Sequence, residues 1–144
     1  MLLVPVRNAD GELVGLQTIA KDMYGDTVKR FLTGTPIASN YCPIGRADSA
    51  AHTLAIGEGW ATMASVYEAT GWPCVVAFCA NNLEPVARAM RAKFPSVKIV
   101  ICADDDAETE RKTGVNPGLV AAHKAAEAVG GFVAVPRFSK EVAA

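Results

Sequence analysis

The sequence has little histidine, no closely spaced cysteine pair and no long apolar segment. Its 4 cysteines are scattered without a CxxC pair, and only 2 histidines could add ligands, which argues against a structural zinc site. The chain has 14 basic and 15 acidic residues and a net charge of -1, so it is not basic overall. Any contact with nucleic acid therefore has to come from a local basic patch. No stretch approaches about 18 uninterrupted apolar residues, so we expect no membrane association and a cytoplasmic, reducing location.

The 144 residues are enough for one domain with a real core, and 51% of them are hydrophobic. The first part is β-rich: residues 2–7, 12–20 and 27–32 are typical of strands, and Asp10-Gly11 between two of them indicates a hairpin. Residues 33–49 carry glycine and proline with little periodicity. We interpret them as a connecting loop, which divides the chain into a β-rich subdomain, 1–50, and a second domain, 51–144.

From residue 51 onward, strand and helix patterns alternate. Strands are predicted at residues 52–57, 73–78, 97–103 and 132–135, and helices at residues 60–70, 82–94 and 118–129, with a frayed tail at 139–144. Asn82 is predicted to cap the second helix and Asn116-Pro117 to open the third. This order indicates an α/β fold, a parallel sheet flanked by helices and preceded by a small antiparallel β subdomain.

Three carboxylates follow the apolar strand 97–103. Asp104 and Asp106 stand two positions apart, so in an extended chain they point the same way. A divalent cation such as Mg²⁺ compensates their repulsion, and open α/β sheets bind ligands beyond the carboxyl ends of their strands. The alternative interpretation is a solvated acidic turn.

Glu58 lies between two glycines, after the strand 52–57 and before a helix. In a parallel sheet, Glu58, Asp104 and Asp106 meet at one edge if their strands are neighbours. Such a site suits a metal that positions phosphates, with one carboxylate moving protons. The alternative is a glutamate that interacts with the positive end of the helix dipole.

Several segments resemble the Toprim domain, as found in plasmid- and phage-type DNA primases. They are residues 57–62 (GEGWAT), 77–83 (AFCANNL) and 103–106 (ADDD), and, in the β-rich part, residues 3–7, 11–17, 30–32 and 43–45. The resemblance implies that Glu58 is the general acid or base of nucleotidyl transfer. It also implies that Asp104 and Asp106 hold Mg²⁺ or Mn²⁺. The chain departs from the family at Thr62, because many primases have an acidic residue at this position, four residues after the glutamate. It also departs at residues 107–112, which suggest a longer loop near the site.

The resemblance further implies a metal-dependent nucleotidyltransferase that makes RNA primers on a single-stranded DNA template from nucleoside triphosphates during plasmid or phage replication. Positive and polar side chains would bind the phosphates and template. The candidates are Lys29, Arg30, Arg46, Asn81, Arg111 and Lys112, and for each the alternative is an ordinary solvated side chain.

Two other functions stay open at this point. One is a Toprim module that binds DNA or a replication partner without turnover. The other is a phosphoacceptor receiver, against which the late position of the acidic strand argues. A primase also needs a zinc-binding or helicase module, which we expect outside this chain.

Overall fold

The computed structural model describes residues 1–48, 51–104 and 107–136, and these residues form two β-sheets with helices. The strands are β1 (Leu2–Arg7), β2 (Leu13–Lys21), β3 (Thr27–Phe31), β4 (Cys42–Ile44), β5 (Thr53–Gly57), β6 (Cys74–Val76), β7 (Lys98–Cys102) and β8 (Phe132–Ala134). The helices are α1 (Trp60–Thr70), α2 (Leu83–Lys93), α3 (Ala107–Thr113) and α4 (Pro117–Val129), and a 3₁₀ turn at Ala80–Asn82 precedes α2. None of the helices in these described ranges combines the length and hydrophobicity needed to span a membrane.

The first sheet is antiparallel, in the order β1-β2-β3, as predicted. Its hairpin turns at Gly11, whose φ of 81° lies in the left-handed region that glycine adopts without strain. Alternate residues of each strand share one face. On β1 that face carries Val4 and Val6, which are fully buried, so this face packs toward the rest of the protein.

The second sheet has the order β4-β6-β5-β7-β8, and β5, β6, β7 and β8 run parallel. The α/β prediction is therefore confirmed. The prediction of a plain loop over residues 33–49 is wrong at Cys42–Ile44, because β4 pairs antiparallel with β6 there. Three residues are too few to show a period, and Pro43, which cannot donate a backbone hydrogen bond, fits an edge strand.

Side-chain alternation divides the core between the two faces of the parallel sheet. Leu54 and Ile56 of β5 pack with α2 and α4 in the larger cluster. Ala55 faces the other way and packs with Met63 of α1 and Val4 of the antiparallel sheet. Burying both faces makes the strands nearly continuous apolar runs, which is why the sequence predicts them well.

The helices confirm most predictions and correct two. The bounds of α1 are as predicted, and Asn116 caps α4 by accepting a hydrogen bond from the Leu119 N–H. Residues 107–113 form helix α3, so the predicted longer loop is wrong there. An ion pair between Glu108 and Lys112, one helical turn apart, stabilises α3.

The second correction concerns Asn82, which stands at the N-cap position of α2 but makes no capping hydrogen bond with its side chain. Two further predictions fall on residues outside the described ranges. They are the subdomain boundary at residue 50 and the frayed tail at residues 139–144.

Candidate active site

The strand order brings Glu58 and Asp104 to the same edge of the parallel sheet. Strands β5 and β7 are hydrogen-bonded neighbours, and Ile56 pairs with Ile101. Glu58 follows Ile56 by two residues, and Asp104 follows Ile101 by three, so both carboxylates leave the sheet at its carboxyl end. Both side chains are half-buried. Asp106, the third carboxylate of the predicted site, lies outside the described residues.

The glycine before Glu58 is required by close packing. A β-carbon on Gly57 would collide with the sulfur of Met63 in α1 and lie 3.5 Å from the carbonyl oxygen of Cys102. Helix α1 and strand β7 can therefore both approach the end of β5. The result is a short, well-supported connection on which Glu58 stands between a strand and a helix N-terminus.

The backbone around Glu58 is fixed by hydrogen bonds beyond the end of β6. The Ala77 N–H donates to the Gly57 carbonyl (2.8 Å), and the Phe78 N–H donates to the Glu58 carbonyl (2.9 Å). Phe78 has a φ of 74°, a left-handed conformation that costs a side-chain-bearing residue about 1–2 kcal/mol. This strained residue therefore holds the main chain of Glu58 in place.

The ring of Phe78 also contacts the antiparallel sheet. It meets the ring of Phe31 edge to face, with 5.5 Å between the ring centroids. Strand β3 thus lies against the carboxyl edge of the parallel sheet. The sequence predicts no role for either phenylalanine, because an apolar residue at or just after the end of a strand gives no sign of its backbone conformation or partner.

Strand β3 brings one of its two basic residues toward Glu58. Lys29 shares a face of the strand with Phe31, and its Nζ lies 3.9 Å from where a β-carbon on Gly59 would be. Arg30, the next residue, lies on the opposite face of the strand. Lys29 therefore stands near the carboxylate edge, and Arg30 is directed away from it.

The other predicted phosphate contacts are distributed around the sheet. Asn81 is exposed in the 3₁₀ turn after β6, and Arg111 and Lys112 are exposed on α3, which follows the acidic cluster. Arg46 follows β4, which runs antiparallel to β6, so it lies beyond the amino end of β6. The structure does not bring Arg46 to the edge that carries Glu58.

Two cysteines of the parallel sheet have raised pKa values. Burial raises the pKa of Cys102, and the charge of Asp104 raises the pKa further. Burial likewise raises the pKa of Cys74 to about 11. The described residues place the carboxylate oxygens of Glu58 and Asp104 at this edge, and carboxylate oxygens are the ligands that Mg²⁺ and Mn²⁺ prefer.

Within residues 1–48, 51–104 and 107–136, no three His, Cys, Asp or Glu side chains lie close enough together to hold a metal ion. Asp106, the third predicted ligand, lies outside these ranges. The positive ends of α1, α2 and α4 lie at this edge, because each of these helices begins after a parallel strand has ended there. Helix N-termini attract anions, so the edge offers carboxylates for a cation and helix ends for phosphates.

The sequence is also similar to known proteins. The family model of the Toprim domain matches residues 53–140. Two relatives from Escherichia coli, both named DNA primase TraC, are 41% and 40% identical to the chain over 138 residues. Each match covers 94% of this chain but only 13% and 9% of the relatives, so the chain spans about a tenth of their length.

Proposed function

The chain belongs to the Toprim domain family, and on that premise we propose that it is the nucleotidyltransferase domain of a DNA primase. The proposed reaction makes RNA primers on single-stranded DNA from nucleoside triphosphates during plasmid or phage replication, in the cytoplasm. The names of the two relatives support primer synthesis as the reaction. The observation that carries the proposal is the exit of Glu58 and Asp104 from neighbouring parallel strands at one edge.

The donor set fits a hard divalent cation. We propose that Glu58, Asp104 and Asp106 hold Mg²⁺ or Mn²⁺, since carboxylate oxygens are the ligands that these hard cations favour. When bound, the ion would stabilise the negative charge on the attacked phosphate and on the leaving group.

The side chains of the protein would act on the proton and the phosphates. A 3′-hydroxyl oxygen forms a bond to the α-phosphorus, the bond from that phosphorus to the bridging oxygen breaks, and pyrophosphate leaves. Glu58 accepts the proton of the attacking hydroxyl. Lys29 and the N-termini of α1, α2 and α4 stabilise the negative phosphates, which would otherwise be repelled by the carboxylates.

The remaining contacts lie further from Glu58. Arg111, Lys112 and Asn81 are exposed near the same edge and are proposed to bind the template or the triphosphate. Arg30, on the other face of β3, is proposed to contact template phosphates only. A zinc-binding or helicase module outside this chain would supply template recognition, with residues 1–50 and 51–144 acting as two units of the catalytic part.

Primer synthesis on single-stranded DNA with Mg²⁺ or Mn²⁺ tests the proposal. We expect Glu58→Gln and Asp104→Asn to lose synthesis, since each removes a charge while keeping the shape of the side chain. Glu68→Gln, on the exposed side of α1, is the matched control and should retain activity. Equal activity in all four proteins would remove the catalytic assignment.

Binding of Mn²⁺, followed by electron paramagnetic resonance, gives a second readout that does not depend on turnover. Loss of Mn²⁺ binding in Glu58→Gln and Asp104→Asn supports the metal site. A wild-type chain that binds DNA but neither binds Mn²⁺ nor makes primers would instead favour the non-catalytic Toprim module.

A further inference from the structure

A single peptide group, the one that joins Ala77 to Phe78, lies between the main chain of Glu58 and the side chain of Asn82. Its N–H, which belongs to Phe78, donates to the Glu58 carbonyl (2.9 Å). Its carbonyl, which belongs to Ala77, accepts a hydrogen bond from the side-chain amide of Asn82 (2.9 Å). The two ends of one rigid, planar group are therefore bonded to Glu58 and to Asn82.

This peptide group departs from strand geometry. In a strand, successive N–H groups point to opposite sides. Here the N–H groups of Ala77 and Phe78 both donate toward the end of β5 (2.8 and 2.9 Å). Phe78 has a φ of 74°, in the left-handed region that a residue with a side chain rarely adopts. Such a strained orientation persists only while the surrounding groups hold it.

Asn82 is placed to hold this orientation. Ala77 is fully buried and Asn82 is 3% exposed, so water does not readily replace the amide as the donor to the Ala77 carbonyl. The amide is itself fixed by the segment 37–40. Its nitrogen lies 2.9 Å from the carbonyl oxygens of Ile37 and Asn40, and its oxygen accepts from the Ser39 N–H.

Rotation of the peptide group is the conformational change that Asn82 opposes. Without the amide, the Ala77 carbonyl loses a buried donor, and rotation would return Phe78 to a negative φ and relieve its strain. The same rotation turns the Phe78 N–H away from the Glu58 carbonyl. The connection between β5 and α1, on which Glu58 stands, would then lose this support.

We propose that Asn82 is a positioning residue for Glu58. It holds the peptide group between Ala77 and Phe78 in its strained orientation and thereby fixes the main chain from which the carboxylate of Glu58 extends. The inference rests on the proposed function, in which Glu58 accepts a proton and shares a metal ion.

Amide hydrogen exchange, followed by nuclear magnetic resonance, tests the orientation without relying on activity. In Asn82→Ala, the Phe78 amide should exchange about tenfold faster relative to the Ala77 amide than in wild type, because the Ala77 N–H belongs to the preceding peptide group. Met90→Ala is the matched control. Met90 is buried about two turns along α2, and its truncation lowers stability without touching this peptide group.

Global destabilisation speeds the exchange of both amides alike, so Met90→Ala should leave their ratio as in wild type. An unchanged ratio in Asn82→Ala would overturn the proposal. So would a Phe78 amide that is already unprotected in wild type, whatever the variants do.

Primer synthesis, measured where each variant is folded, tests the consequence for Glu58. Asn82→Ala should lower kcat by about a hundredfold with the KM for the nucleoside triphosphate unchanged, because a small misplacement of a reacting group has this cost. Met90→Ala should keep the wild-type kcat. Adding Phe78→Gly to Asn82→Ala removes the left-handed strain and should restore kcat about tenfold without restoring stability. Equal kcat losses in Asn82→Ala and Met90→Ala, or no restoration by Phe78→Gly, would overturn the positioning role.

Phe78→Pro tests the same connection if Asn82→Ala does not fold. Proline has no N–H and cannot adopt a φ of 74°, so this variant breaks the bond to the Glu58 carbonyl while Asn82 stays intact. A loss of kcat supports the proposal, and a wild-type kcat overturns it. If wild type neither binds Mn²⁺ nor makes primers, the proposed function fails, while the exchange ratio still decides whether Asn82 holds the peptide group.

Discussion

The buried side chain of Asn82 connects three parts of the protein, and replacing it should cost more stability than any helix cap. Its carbonyl oxygen accepts a hydrogen bond from the Ser39 N–H (2.8 Å). Its amide nitrogen lies 2.9 Å from each of three carbonyl oxygens, those of Ile37, Asn40 and Ala77. Asn82 is 3% exposed, so water does not readily replace these partners.

The magnitude follows from the groups that Asn82→Ala would leave unpaired. The amide has two hydrogens, so at least two donated bonds and one accepted bond are lost. A buried backbone group without a partner costs about 1–3 kcal/mol, and some relaxation of the segment 37–40 will recover part of this cost. We expect Asn82→Ala to lower the free energy of unfolding by about 3–5 kcal/mol.

Asn82→Asp separates this role from helix capping. Aspartate caps helices as well as asparagine does, so a capping role predicts almost no loss. The observed contacts predict the opposite, because a carboxylate can still accept from the Ser39 N–H but cannot donate to the three carbonyls. Asn82→Asp should therefore be at least as unstable as Asn82→Ala at neutral pH.

Urea unfolding followed by far-UV circular dichroism measures both variants. We expect a lower midpoint with an unchanged slope, and no shift for Asn81→Ala, the exposed neighbour. An Asn82→Ala protein within about 0.5 kcal/mol of wild type would refute the reasoning, since that is the range of ordinary surface substitutions. If Asn82→Asp were as stable as wild type, the result would favour a capping role for Asn82.

Three further outcomes are expected. Gly57→Ala should cost about 1–3 kcal/mol in chemical unfolding, because its methyl group overlaps the sulfur of Met63; a loss below that range would show that the Met63 side chain can move aside. Cys79 is exposed and should react with iodoacetamide before Cys42, Cys74 and Cys102, whose pKa values burial raises, as read by mass spectrometry of the intact chain; equal rates would contradict this. A hydrogen bond from Arg88 lowers the pKa of Glu84. The contribution of Glu84 to stability is therefore present above its usual pKa of 4.5, and it is lost as the pH falls through the lowered pKa. The stability difference between wild type and Arg88→Ala should thus be larger near neutral pH than in acid, and a constant difference would argue against the pair.

The elements that the sequence predicts well are those with a strong pattern and clear ends. Helix α2 has the pattern, since Leu83, Val86, Ala87 and Met90 are buried along one side. Helix α1 has the clear end, since Gly71 ends it in a left-handed conformation. Strand β4 has only three residues, and its pairing with β6 depends on a contact made across about thirty residues of chain. Helix α3 is short and has no buried face, so hydrophobic periodicity could not reveal it.

The same distinction holds for the candidate site. The positions of Glu58 and Asp104 follow from two strand ends, and the sequence predicts both strands. The role of Asn82 could not be predicted, because most of its partners are backbone groups of residues 37–40, a segment without periodicity. Arg46 lies away from Glu58 because β4 runs antiparallel to β6, and the sequence pattern does not predict β4 as a strand.

The antiparallel sheet also decides which basic residue stands near Glu58, and this depends on pairing register. Ile19 pairs with Lys29 and Gln17 with Phe31, so Lys29 and Phe31 share the inner face with a partly buried and a buried residue of β2. A slip of one residue would move every side chain of β3 to the other face. The contact of Phe31 with Phe78 opposes such a slip, because it would carry Phe31 into solvent and bring Arg30 inward. The pairing that places Lys29 beside Gly59 is therefore stabilised at the edge where Glu58 and Asp104 leave the parallel sheet.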